Sequence, residues 1–208
     1  MPSDLRQERD RTRSERRRID VLDAAERVFV RQGFHRTLIS DIATEAGVGQ
    51  GTFYRHFPDK RAVFETIFDR LVDSLFAEFA GMSANLPSDA REYRDASVAA
   101  LRRVAQAVER NGDLVRMILR ETPTVDHSLE DKLASLHDGF MMLAKSSLDH
   151  AVNEGFARPC DTEIIAQAIV GMGTWTAHMW FSGRAPDVTL DHLIGEMVDF
   201  AFQGISAR

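Results

Sequence analysis

One cysteine in 208 residues, Cys160, leaves no partner for an internal disulfide and too little sulfur for a structural zinc site. It reads as an ordinary loop thiol. A long apolar run is missing as well: the most apolar-leaning stretch, 164–181, is broken by Gln167, Thr174, Thr176 and His178, which argues against a membrane span. At the N-terminus, Asp4, Glu8, Asp10 and Glu15 lie among arginines with no apolar segment behind them, so no signal peptide is expected and the protein is expected in the cytoplasm. There is no H-E-x-x-H, no G-x-x-x-x-G-K-[ST], no defensible Ser-His-Asp spacing and no framed pair of carboxylates. The seven histidines, His35, His56, His127, His137, His150, His178 and His192, are scattered without metal-ligand spacing. Catalysis, a metal and a cofactor are therefore not expected. No segment reads as a strand and none repeats, which leaves an all-α fold of about nine helices.

What is present is enough for a packed core: 44% of the residues are hydrophobic. The net charge of −6 is unevenly spread. Residues 1–60 carry 12 Lys+Arg against 10 Asp+Glu, leaving 14 against 22 for residues 61–208. Arg6, Arg9, Arg11, Arg13, Arg16, Arg17 and Arg18 crowd the basic end, where 1–14 reads as a flexible arm able to meet phosphates or enter a minor groove, or as a solvated tail without a partner.

The densest pattern is 37–60, TLISDIATEAGVGQGTFYRHFPDK. Thr37 is a candidate N-cap, and Ile39, Ile42, Ala43 and Ala46 share one face of a helix over about 38–46. Gly47 stands where a helix end favours a left-handed residue, and Val48 follows as an apolar plug. A second helix over about 50–57 turns Phe53 and Phe57 inward, leaving Gln50, Thr52, Tyr54, Arg55 and His56 outward or along the rim. Pro58-Asp59-Lys60 then breaks the helix and opens the next, where Lys60 can reach a phosphate. This is a helix-turn-helix pattern, equally open to a purely architectural role. Gly47, Gly49 and Gly51 imitate a phosphate loop, but Thr52 occupies the place of the last glycine and the preceding segment is helical.

Upstream, a helix over about 15–32 has an apolar stripe of Ile19, Leu22, Ala24, Ala25, Val28, Phe29 and Val30, closed by Gly33 with Phe34 packing back. Leu22, Ala25, Phe29, Phe34, Ile42, Val48, Phe53 and Phe57 can form one small core over 15–60. The helix over 61–82 is apolar around more than half its girth, as a connector touching two bodies should be. Further helices are expected at about 89–110, 113–121, 126–154, 161–182 and 188–205.

Ala24-Ala25 and Phe29 leading to Gly33-Phe34, then Asp41-Ile42-Ala43, Ala46-Gly47-Val48, Gly51-Thr52-Phe53-Tyr54 and Phe57-x-x-Lys60 resemble the TetR family of bacterial transcriptional regulators. The likeness covers roughly 16–65 directly; the remainder agrees only in length, helix number and the placement of a long helix. It implies a recognition helix at 50–57, with Gln50, Gly51, Thr52, Tyr54, Arg55 and His56 at the DNA, Tyr54 and Lys60 on phosphates, and Thr37 and Ser40 adding backbone contacts. Gly49 replaces the usual hydroxyl cap and Leu38 a small hydroxyl residue, each removing an interaction worth roughly 1 kcal/mol.

The same resemblance implies a homodimer on a palindromic DNA operator, paired through the last two helices. There Ala166, Ala168, Gly171, Gly173 and Ala177 would permit close approach, while Ile165, Ile169, Met172, Leu193, Ile194, Met197, Phe200 and Phe202 supply apolar area or serve the core. It also implies a repressor controlled by a small, largely apolar effector held in a pocket in residues 61–208. Phe76, Phe79, Leu101, Val104, Met117, Phe140, Met141, Trp175 and Met179 are candidate walls. Among them are the polar groups Arg120, Thr122, His137, Thr174 and His178, with Arg120 placed to meet an acidic group. The rival reading is an all-α small-molecule-binding or scaffold protein whose helix-turn-helix is architectural.

Overall fold

The computed structural model describes residues 2–78, 87–125, 127–185 and 187–205, the side chains of 2–5 and 122–129 excepted. Among them are nine helices and no strand: α1 (Pro2–Gln32), α2 (Ile39–Glu45), α3 (Gln50–His56), α4 (Lys60–Ala77), α5 (Ala90–Arg110), α6 (Gly112–Val125), α7 (His127–Asn153), α8 (Thr162–Phe181) and α9 (Leu190–Ile205). No helix among the described residues is long and apolar enough to cross a membrane.

The chain divides into two compact units, residues 1–71 with 117–129, and residues 72–116 with 130–208. The division differs from the boundary at residue 60 expected from the sequence. The first turns of α4 bury Val63, Phe64, Ile67 and Phe68, and α6 contributes the buried Met117 and Ile118, so these segments group with the N-terminal helices.

In the first unit the core begins at Val21 and Leu22 and continues through Ala25, Val28 and Phe29. Ile19, expected on this stripe, is instead exposed. The rings of Phe29, Phe34 and Phe64 meet with centroids 5.1–5.7 Å apart, in tilted and edge-on arrangements favoured by aromatic quadrupoles. Ile42, Phe53 and Phe57 complete the core, while Val48 is only half-buried.

Helix α1 extends well before the expected start at Glu15. Its first half is exposed from Arg6 onward and has no apolar stripe, but Arg, Glu and Gln are good helix formers, and the helix propagates from an already packed C-terminal half. Arg18 and Glu15 lie 3.8 Å apart at i, i+3 spacing. The expected flexible arm is thus helical backbone.

In the second unit, Tyr93, Leu148, Ala151, Ala157, Ala166 and Ile205 form a buried cluster. Asp89 caps α5 through Glu92 N at 2.7 Å, and Asp161 caps α8 through Glu163 N and Ile164 N, both at 3.1 Å. Arg158 ties the α7–α8 loop to the end of α9, its backbone N and Nε each donating at 2.9 Å to the carbonyls of Ile205 and Gly204 respectively.

Candidate nucleic-acid interface and internal cavity

Helix α3 is held by one face. Phe53 and Phe57 are buried with ring centroids 6.1 Å apart, and the exposed Tyr54 stands edge-on to Phe53 at 5.6 Å. The opposite face presents Gln50, Gly51, Tyr54 and Arg55 exposed, with Thr52 and His56 half-buried at its edges. Gly47 supplies the turn between α2 and α3 at φ 64°, in the left-handed region where a β-carbon is disfavoured. Arg18 of α1 reaches the end of α3, its guanidinium 5.1 Å from the Phe57 ring centroid.

Two expected DNA contacts lie elsewhere. Thr37 is fully buried and does not cap α2; its hydroxyl donates to Gly33 O at 2.7 Å, and Leu38 takes the N-cap position. Its side chain is out of a phosphate's reach. Lys60 Nζ donates to Phe34 O at 2.7 Å, Thr37 O at 2.9 Å and His35 O at 3.2 Å, and lies 4.5 Å from the Phe34 ring centroid. All three ammonium protons are engaged, so Lys60 fastens the α1–α2 loop to α4. Burial pushes its pKa below the ordinary value, while the Glu121 carboxylate acts in the opposite direction. Ser40 is half-buried.

The angle between α1 and α2 is fixed by ionic ties. Glu45 accepts from Arg27 at 2.9 Å and Arg31 at 3.3 Å, and Asp41 accepts from Leu38 N and Gln32 Nε2, each at 2.9 Å. The Leu38 amide and then Gln32 hold the Asp41 carboxyl below its ordinary range, against the opposing effect of burial. A depressed folded-state pKa stabilises the protein above the unfolded carboxylate value, and that contribution disappears as pH falls through the folded value. Asp41→Asn should therefore lower stability at neutral pH and flatten the acid limb of a pH series of thermal melts.

A cavity of about 590 Å³ lies within the second unit. It is walled mainly by apolar residues of α5, α7, α8 and α9, including Leu101, Val104, Phe140, Met172, Trp180 and Phe202. Its polar rim and floor include Tyr93, Ser97, Glu109, Ser146, Ser147, His150, Thr174 and Thr176. Ser147 Oγ donates to the Tyr93 hydroxyl at 3.2 Å, and His150 Nε2 lies 3.3 Å from Pro87 O.

Of the walls expected from the sequence, Leu101, Val104, Phe140 and Thr174 line this cavity. Phe76 lies outside the lining, its ring tilted against that of Phe140 with centroids 5.1 Å apart and close over Gly139, where a β-carbon would come within 2.4 Å of it. Met117 is buried in the first unit, and Arg120, also there, is exposed and bonded to Glu121 at 3.0 Å. Trp175 and His178 stack on the outer face of α8 at 5.5 Å, and Met141, Met179 and His137 are half-buried outside the lining. Phe79 and the Thr122 side chain lie outside the described residues.

Sequence reasoning passed over Trp180 and the α9 contribution of Leu190, Leu193, Ile194, Met197 and Ala201. Helix α8 is apolar nearly all round, so its period marks no preferred face. Of the residues expected at a dimer surface, Ile169, Met172, Gly173, Ala177, Leu193, Ile194, Met197 and Phe202 face the cavity, and Ala166 is buried. Ala168 and Phe200 remain exposed, alongside Ile164 and Trp175.

The profile of the bacterial regulatory proteins of the tetR family matches residues 21–67, and that of the tetracyclin repressor-like C-terminal domain matches residues 97–205. The HTH-type transcriptional repressor KstR2 of Rhodococcus jostii is 26% identical over 92% of both chains. The structure of the SmeT–triclosan complex superposes with a TM-score of 0.74 at 21% identity, covering 91% of both chains. The fatty acid degradation regulator FadR of Bacillus halodurans superposes at 0.71 with 20% identity, over 89% of this chain and 97% of its own.

Proposed function

The chain belongs to the TetR family of bacterial regulatory proteins, and from that membership we propose that it is a cytoplasmic repressor that binds a palindromic operator as a homodimer and is controlled by a small apolar effector. The observation that carries the reading is the outward face of α3. Gln50, Tyr54 and Arg55 stand exposed on a short helix whose other side is locked by Phe53 and Phe57, so their donors are presented on a rigid base. Arg55 matches the geometry of a guanine edge in a major groove, and Tyr54 that of a phosphate oxygen. With Thr37 and Lys60 engaged internally, the phosphate contacts fall to Tyr54, Thr52, Ser40 and the arginines of α1.

One recognition helix spans only a few base pairs, so selectivity calls for two heads on a two-fold axis. The exposed residues Ile164, Ala168 and Trp175 on α8, with Phe200 on α9, supply the apolar surface for that pairing. The cavity is within the size range of small-molecule sites, and SmeT, a neighbour in fold, is a triclosan complex. An effector that prefers one arrangement of the paired heads weakens binding to an operator that requires another, with reciprocal coupling between ligand and DNA.

The test is selection of genomic fragments by the purified protein, followed by fluorescence anisotropy on the best duplex. Arg55→Ala should weaken binding by about 1–3 kcal/mol and relax preference at one symmetric pair of positions. Equal affinity for selected and scrambled duplexes at every salt concentration would instead leave an architectural helix-turn-helix.

A further inference from the structure

We propose that the cavity of the second unit takes a hydrophobic effector without negative charge, and that Glu109 gives a positively charged head the advantage over a neutral one. The proposal rests on the reading of this cavity as the effector site.

Its warrant is the distribution of charge. No lysine or arginine lines the cavity among the described residues. Six basic residues of this unit have partners of their own. Arg102 pairs with Asp191 at 3.1 Å, Arg110 with Glu78 at 3.1 Å, Lys145 with Asp149 at 2.8 Å and Arg116 with Asp113 at 2.5 Å. Arg94 pairs with Asp199, and Arg158 is bonded to Gly204 O. An acidic head entering this cavity would leave water for a wall with no countercharge, the situation in which an ionised group is most strongly rejected.

Among the described residues Glu109 is the only carboxylate on the lining, at an exposed position one turn beyond Ala105, which also lines the cavity. A cationic head held there stays partly hydrated while its apolar body enters, so the ion pair adds selectivity at low desolvation cost. A neutral hydroxyl head can use the Ser147–Tyr93 pair.

Calorimetric titration of the full-length protein at pH 8 with decyltrimethylammonium, decanol and decanoate tests the proposal. Decanol should bind at least about a hundredfold more tightly than decanoate, and the cation about fivefold more tightly than decanol. Glu109→Gln should erase the advantage of the cation while leaving decanol unchanged. Ala105→Trp, which projects an indole into the cavity, should weaken every ligand that binds. Decanoate binding as tightly as decanol would overturn the exclusion of anions, and a cation advantage that survives Glu109→Gln would overturn the role of Glu109. If none of the three ligands binds, or if Ala105→Trp changes none of them, the cavity is not the effector site, and both readings fall at that earlier step.

Discussion

Lys60→Met is expected to cost the N-terminal unit about 2–4 kcal/mol, because three carbonyl acceptors lose a charged donor at once. Methionine keeps most of the aliphatic stem, so the loss is one of hydrogen bonding more than of packing. Phe34, His35 and Thr37 then have nothing to gather their carbonyls, and the loop that sets the start of α2 loosens. Thermal melts followed by circular dichroism should show a fall of roughly 10 °C or more for a unit of this size. The salt dependence of DNA binding separates this role from a phosphate contact. A lysine on a phosphate would leave the melt unchanged and make the logarithmic salt slope shallower by about one per head. A lysine that staples a loop lowers the melt and leaves the slope of the remaining folded protein intact.

On the proposed pairing, Trp175→Glu should leave monomers at micromolar concentration and remove specific operator binding. In an isologous interface each substitution acts twice, and each glutamate would have to be desolvated without a partner, at about 3–5 kcal/mol apiece. The fold of the subunit should survive, since Trp175 is 64% exposed and its ring touches His178 on the same outer face. Sedimentation velocity reads the association and circular dichroism the fold. A folded Trp175→Glu protein that still sediments as a dimer would move the interface away from this face of α8.

These two residues also mark what the sequence can and cannot reveal. The inward pair Phe53 and Phe57 follows from i, i+4 spacing, and the turn at Gly47 from the meeting of two apolar periods; both are local signals. The partners of Lys60 lie 23 to 26 positions upstream, so no local pattern distinguishes an amine facing a phosphate from one facing three carbonyls. Thr37 misleads for a related reason: a hydroxyl before a helix looks like a cap, yet here it turns back to Gly33. In α8 the difficulty is an excess of apolar residues, and only packing shows that Met172 and Trp180 face the cavity while Trp175 faces outward. The arginines before residue 15 show that a segment without a hydrophobic stripe can still be helical when it continues a helix packed farther along.

The discontinuity of the first unit bears on how such a protein is made and recombined. Residues 117–129 complete a body whose other part ends at Leu71, with Met117 and Ile118 buried in it and the Glu121 carboxylate against Gly33. A ribosome that has released the helix-turn-helix has therefore not yet delivered all of the surface that covers it. That part of the chain must wait, with apolar side chains uncovered, until α6 emerges. The same arrangement sets the rules for gene fusion: a graft that carries only the first seventy-one residues onto another regulator leaves Met117 and Ile118 behind, whereas one that brings the second half of α6 with it transplants a whole unit.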